Sequence, residues 1–175
     1  MGLDVRAFNG LERCQIQTEE AYEKYLDCSC LRSSDILFNQ SGGLDGYYTH
    51  SGEYITFRAG SYSSYGNWRR MLSEMLGYPE IEKLWESIRR EISLGEVLPE
   101  GSNVNIPFIE LIYFSDCEGV IGSKVSTKLY NDFVSNRESA VKFSESKKNS
   151  DWLSLYDDFL KAFKIASNNG CVQFC

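Results

Sequence analysis

The sequence predicts a single α+β domain, a small and mostly antiparallel sheet covered on one face by about five helices. Three observations lead there. Alternating apolar segments stand near both ends and in the first third, in LDVRAF (residues 3–8), Tyr54–Arg58 and the closing CVQFC. Helical periodicity dominates the rest of the chain. The length of 175 residues, with 42% hydrophobic and 14% aromatic content, suits one domain that buries roughly 70% of its unfolded surface.

In LDVRAF, Leu3 and Val5 alternate with polar neighbours ahead of Phe8, which reads as a strand. TEEAYEKYL, Thr18 to Leu26, opens with a Thr cap and acids in its first turn and reads as a short helix. Cys28 to Gly46 is rich in Ser, Gly and Asn and reads as loop with one short strand at Ile36-Leu37-Phe38. Gly42-Gly43 and Asp45-Gly46 are turn signals, so this segment is expected to close a hairpin onto Tyr54–Arg58. After an Ala-Gly-Ser break, Tyr65, Trp68, Leu72, Met75 and Leu76 recur at helical spacing until Gly77. Pro79 then starts a helix with Ile81, Leu84, Trp85, Ile88 and Ile92 on one face.

Leu94 to Asn105 reads as a connector. IPFIELIYF, Ile106 to Phe114, fits a buried strand or a helix by periodicity; Pro107 in a first turn and the charge of Glu110 favour helix. SDCEGVIGSK then reads as a compact loop. Ser123 is expected to cap a helix carrying Val125, Leu129 and Phe133 to about residue 136. Ser135 to Asn149 is polar and charged and is expected to be mobile. The last helix, Asp151 to Ser167, turns Trp152, Tyr156, Phe159, Leu160 and Phe163 inward, and Asn169-Gly170 stops it. LDVRAF and CVQF are expected to pair and bring the termini together.

The formal charge of -7 argues against general nucleic-acid binding, which needs a basic surface. MGLDVRAFNG lacks an apolar core of signal-peptide length, and no apolar run spans a bilayer. Position 6 is Arg where myristoylation wants Ser or Thr. A cytoplasmic protein with reduced cysteines is therefore expected. Cys28-Ser29-Cys30 has no second pair or His cluster at zinc spacing, so no metal or cofactor is assigned.

Two segments carry candidate chemistry. EYITFRAGSYSSYGNWRR, Glu53 to Arg70, brings a strand end, a turn and a helix start together with Arg58 and several flat rings. Such a corner suits an anionic, planar ligand. Tyr65 and Trp68 fall on the apolar stripe and read as core; Arg58, Ser61 and Tyr62 are the stronger ligand contacts, with Arg69 beside the stripe. In SDCEGVIGSK, glycines permit unusual backbone angles and Ser123-Lys124 stand at a helix start, an anion-binding arrangement. The spacing is not that of a Walker loop, and a capped helix start with a tight turn and two solvent-facing acids explains it slightly better.

FRAGSYSSYGNWRR, ELIYFSDCEGVIGSKVSTKLYNDF and WLSLYDDFLKAF…CVQF together resemble a group of small uncharacterised bacterial, phage and prophage proteins. Those proteins share an MGLD-like start, and the resemblance spans most of the chain. It implies a phage-linked origin and carries no established activity.

The candidate ligand-binding set is Arg58, Ser61, Tyr62, Arg69, Ser115, Asp116, Glu118, Ser123 and Lys124. A Cys117–His50–Asp116 nucleophile set and a metal held by Asp116 and Glu118 are the weaker alternatives, because these residues are scattered or need a loop to converge. His50, in a Gly-Ser-Thr context, reads as a surface loop residue. No catalytic residue is assigned. The expected function is an accessory protein that sequesters a small nucleotide-like anion, such as a bacterial defence signal, without turnover. It requires the Arg58–Tyr62 corner and the SDCEG loop to meet. The alternative is a factor that binds a host protein through an acidic surface, centred on the Pro79–Ile92 helix. A homo-oligomer suits the sequestering role, since sites often form between symmetric subunits.

Overall fold

The alternation in LDVRAF buries one face of a strand along its length and the other only at its end. Leu3, Val5 and Ala7 point to one side and Phe8 to the other, all fully buried. Residues 2–34, 40–78, 106–114 and 118–175 are described by the structure, a computed structural model of the chain. Within them, β1 (Leu3–Asn9) lies between β5 (Tyr54–Gly60) and β7 (Gly170–Phe174), and β6 (Gly119–Gly122) borders β7. All pairings in this sheet are antiparallel. Val5 faces Phe174 and Ala7 faces Val172, so the N- and C-terminal strands do pair.

A second sheet has the order β2 (Leu11–Arg13), β4 (Gly46–His50), β3 (Cys28–Leu31). The segment after Cys28 therefore begins as a strand, not a loop, and its hairpin partner is β4 and not Tyr54–Arg58. Leu31 explains the choice: it is fully buried beside Phe8, Tyr48, Val120 and Cys171. This small core covers the face of the first sheet that the sequence left open, so the four-stranded sheet is flanked on both sides. Ile36-Leu37-Phe38 lies outside the described residues.

Helices cover the other face: α1 (Glu20–Lys24) stands apart on the second sheet, while α2 (Tyr62–Met75), α3 (Ile109–Ile112), α4 (Ser123–Ser135), α5 (Arg137–Lys147) and α6 (Ser150–Ala166) build the main core. Tyr65, Trp68, Leu72, Phe133, Tyr156, Phe159 and Phe163 meet there against Val5, Val172 and Phe174. Ile106–Phe114 does turn helical, for one turn, with Glu110 buried. The helix expected at Pro79–Ile92 lies outside the described residues. Among the described residues no helix is long and apolar enough to cross a membrane.

Three local expectations are corrected. Residues 135–149 are not a plain polar link; α5, Arg137–Lys147, fills most of them, because Ala140 and Ser144 share a buried face and the Ser144 hydroxyl donates to the Asn149 carbonyl at 2.8 Å. Thr18 does not cap α1: Glu19 holds that position without a side-chain bond. Ser123 likewise is the first residue of α4, with Gly122 at the cap.

SDCEGVIGSK conceals a strand. Gly119-Val120-Ile121-Gly122 is buried at every residue, and its glycines, which suggested a loop, are there for close approach. A Cβ on Gly122 would stand 2.4 Å from the Ser41 carbonyl oxygen, while the Gly122 N–H donates to the Gln40 carbonyl at 2.7 Å. Gly122→Ala is therefore expected to push the residue 40–44 turn off β6 and cost about 2 kcal/mol, read as a lower urea midpoint with an unchanged slope.

Candidate functional site

The outer face of the four-stranded sheet carries the polar alternates of the strands. Asp4, Arg6 and Phe8 of β1 stand opposite Arg58, Thr56 and Tyr54 of β5. The second sheet covers the Phe8 end of this face and leaves the rest open. Where the two sheets diverge they leave an open cleft of about 420 Å³. Arg6 and Tyr54 line it from the first sheet, Asp27, Cys28, Ser29 and His50 from the second, and Ser51-Gly52 from the connecting turn.

The turn is held against β1 by Asn9. Its side-chain oxygen accepts from the Glu53 N–H at 2.7 Å, and its carbonyl accepts from the Gly52 N–H at 3.2 Å. A Cβ at Gly52 would fall 1.7 Å from that same side-chain oxygen, so only glycine lets the chain pass. This closure places three rings together. His50 stacks on Phe8 at 4.6 Å and on Tyr54 at 5.7 Å, the latter pair within 9° of parallel. His50 is thus the last residue of a strand packed on rings, not a surface loop residue. Tyr54 keeps 48% of its surface exposed, which leaves a flat aromatic face open to solvent.

Arg6 supplies positive charge in this cleft. Among the described residues no ion pair engages it. Its guanidinium lies near the Cys175 thiol, which burial pushes above its ordinary range and Arg6 pulls back in part. Burial, reinforced by the adjacent Cys14 thiol, pushes Cys28 up to about 11, so at neutral pH this residue is a protonated thiol and a poor nucleophile. Among the described residues, no group of three or more His, Cys, Asp or Glu side chains is placed to hold a metal ion.

The residues singled out from the sequence are spread over the molecule. Arg58 pairs with Asp4 at 3.6 Å on the same outer face as Arg6, both partners at least half exposed. Ser61 caps α2 by accepting from the Ser64 N–H at 3.1 Å, and Tyr62 packs against the main core. Arg69 donates to the carbonyls of Ile112 and Phe114 and lies 4.7 Å from the Tyr65 ring centre, clamping α2 to the chain after α3. Glu118 pairs with Arg32 at 3.9 Å. Ser115, Asp116 and Cys117 lie outside the described residues.

The register gives the larger geometry. Gly60 faces Leu3, Val5 faces Phe174, and Phe174 faces Gly119, so Arg58–Tyr62 and Glu118 share one end of the sheet. They stand on opposite edges, three strand spacings or about 14 Å apart. Ser123 and Lys124 follow β6 at the other end of the sheet.

The sequence reading did not place Arg6 and His50 together in one cleft. For Arg6 the signal was present, since strand alternation puts it on the face of Arg58. For His50 it was absent, because stacking on Phe8 depends on how two sheets meet. Comparison with family models, curated proteins and solved structures gives no match.

Proposed function

We propose that this chain is a binding module that holds a small, planar, nucleotide-like anion in the cleft between its two sheets, without turnover. The observation that carries this reading is the placement of Arg6 beside the open face of Tyr54, itself backed by His50. An aromatic face stacks a base, worth about 1–3 kcal/mol per ring, and a guanidinium pairs with phosphate oxygens. The cleft volume is in the range of small-ligand sites. Binding without chemistry is supported by the protonated Cys28 and by an imidazole stacked on rings instead of set against a nucleophile. With the resemblance to phage and prophage proteins, the ligand class extends to a nucleotide signal of bacterial defence, removed by mass action.

The test is native mass spectrometry of the purified chain, followed by calorimetric titration with mono- and cyclic nucleotides. Arg6→Ala and Tyr54→Ala are expected to weaken binding at least about tenfold, which is about 1.4 kcal/mol, while leaving the melting temperature within about 2 °C. Equal affinity in wild type and Arg6→Ala would sink the reading. Because Arg58 lies on the same face but is paired with Asp4, Arg58→Ala is expected to have the smaller effect.

A further inference from the structure

Cys14 and Cys28 place their sulfurs 3.9 Å apart. Cys14 follows β2 and donates its N–H to the Tyr47 carbonyl of β4 at 2.9 Å, whereas Cys28 opens β3 opposite Thr49 on the other side of β4. In β3, Leu31 enters the inter-sheet core, so by alternation Cys28 and Cys30 share the opposite face. That is the face on which α1 lies, as the Tyr22–Tyr47 ring contact at 5.3 Å shows. Cys14 is 6% exposed there and Cys28 half-buried. Gln17 fixes the Cys14 backbone, donating to its carbonyl at 2.5 Å and accepting from the Tyr47 N–H at 2.9 Å.

Two thiols at this distance share an S–H···S contact, and they can be joined further by a disulfide or through an ion. In a disulfide the sulfurs stand about 2.0 Å apart, roughly half the 3.9 Å seen here, so a direct bond would require the two segments flanking β4 to draw together. Metal–thiolate bonds of about 2.3 Å, by contrast, let one ion serve sulfurs up to about 4.6 Å apart. Thiolates select soft ions, and zinc or calcium would need more ligands than the pair offers.

We propose that Cys14 and Cys28 form a two-thiolate site for a soft monovalent ion, copper(I). Binding replaces two S–H bonds with two Cu–S bonds and releases two protons to solvent, with no change of oxidation state. Cys28 is half-buried, so its thiol is reached from the face on which α1 lies. The site is independent of the ligand reading of the cleft, because Arg6 and Tyr54 take no part in it.

The experiment is anaerobic titration of the full reduced chain with copper(I) against a chromophoric chelator. One tight equivalent per chain is expected, with sulfur-only coordination by X-ray absorption and close to two protons released per ion. Cys14→Ser and Cys28→Ser should each weaken binding roughly a hundredfold, and Cys30→Ser and Cys175→Ser by less than about tenfold. Protection mapping guards against variants that fail to fold: in the wild type, copper(I) should shield Cys14 and Cys28 from iodoacetamide and leave Cys175 reactive. Protection confined to other cysteines overturns the proposal. So does a tight equivalent that survives both serine variants, or a Cys14–Cys28 disulfide formed by a mild oxidant in the folded chain.

Discussion

Replacing Lys128 by methionine is expected to destabilise the chain by about 3 kcal/mol near pH 8 and by clearly less near pH 5. The Lys128 ammonium donates to Glu110 at 2.6 Å, to Asp132 at 3.1 Å and to the Ile106 carbonyl at 2.9 Å. Asp132 in turn accepts from the Phe108 N–H at 2.8 Å, at a residue held with φ at 61°. One lysine thus fastens α3 and its entry turn to α4. Burial, the largest influence, raises the Glu110 carboxyl above its ordinary value of 4.5; Lys128 pulls it down and Asp132 adds to the rise. A carboxyl with a raised folded pKa holds its proton more tightly when folded. Its contribution is therefore full below the unfolded value and lost as pH rises through the folded one. Removing Lys128 takes away the lowering influence, so the penalty for an ionised, buried Glu110 grows on the alkaline side. Urea titrations at both pH values decide the matter, and Lys128→Met with Glu110→Gln should recover much of the loss. A defect of equal size at both pH values would mean that packing of the lysine stem matters and the charge does not.

That cluster marks where sequence reading stops. Pro107 and Glu110 argued rightly for a helical turn, yet Glu110, counted against a buried strand, is itself buried in the helix, where a lysine 18 residues later makes its burial tolerable. The long helices were legible because one apolar face suffices to define them: Tyr65, Trp68 and Leu72 in α2, Trp152, Tyr156 and Phe163 in α6. The pairing of the terminal strands was legible too, since both alternate and both need a partner. β3 and β6 were not, because four-residue strands set between glycines and serines have no period of their own. Their burial comes from contacts such as Leu31 on Phe8 and Gly122 on Ser41, which only the assembled fold defines. The cleft shares that origin. It is a gap between two sheets, and the sequence showed only one sheet.

Trp152→Ala is expected to cost about 4 kcal/mol, the largest loss from any single core position considered. Trp68 and Trp152 are each 3% exposed, with ring centres 6.2 Å apart. Each indole N–H donates to the other residue's backbone carbonyl, Trp68 at 3.1 Å and Trp152 at 3.2 Å. The bonds are reciprocal, so α2 and α6 are tied at two points from residues 84 apart in the chain. Truncation to alanine removes the ring that Phe143 and Tyr156 pack on, at 5.1 and 5.7 Å, as well as one of the two donors. Trp152→Phe separates these parts: it keeps most of the ring volume and loses only the donor, and should cost about 1 kcal/mol. Trp68→Phe should cost about the same. The double Phe variant should lose less than the two single losses added, because the paired bonds hold one shared geometry. Strict additivity in that cycle would show two independent hydrogen bonds instead of one reciprocal lock. A Trp152→Ala variant within about 1 kcal/mol of wild type would place the stability of this domain outside the α2–α6 seam.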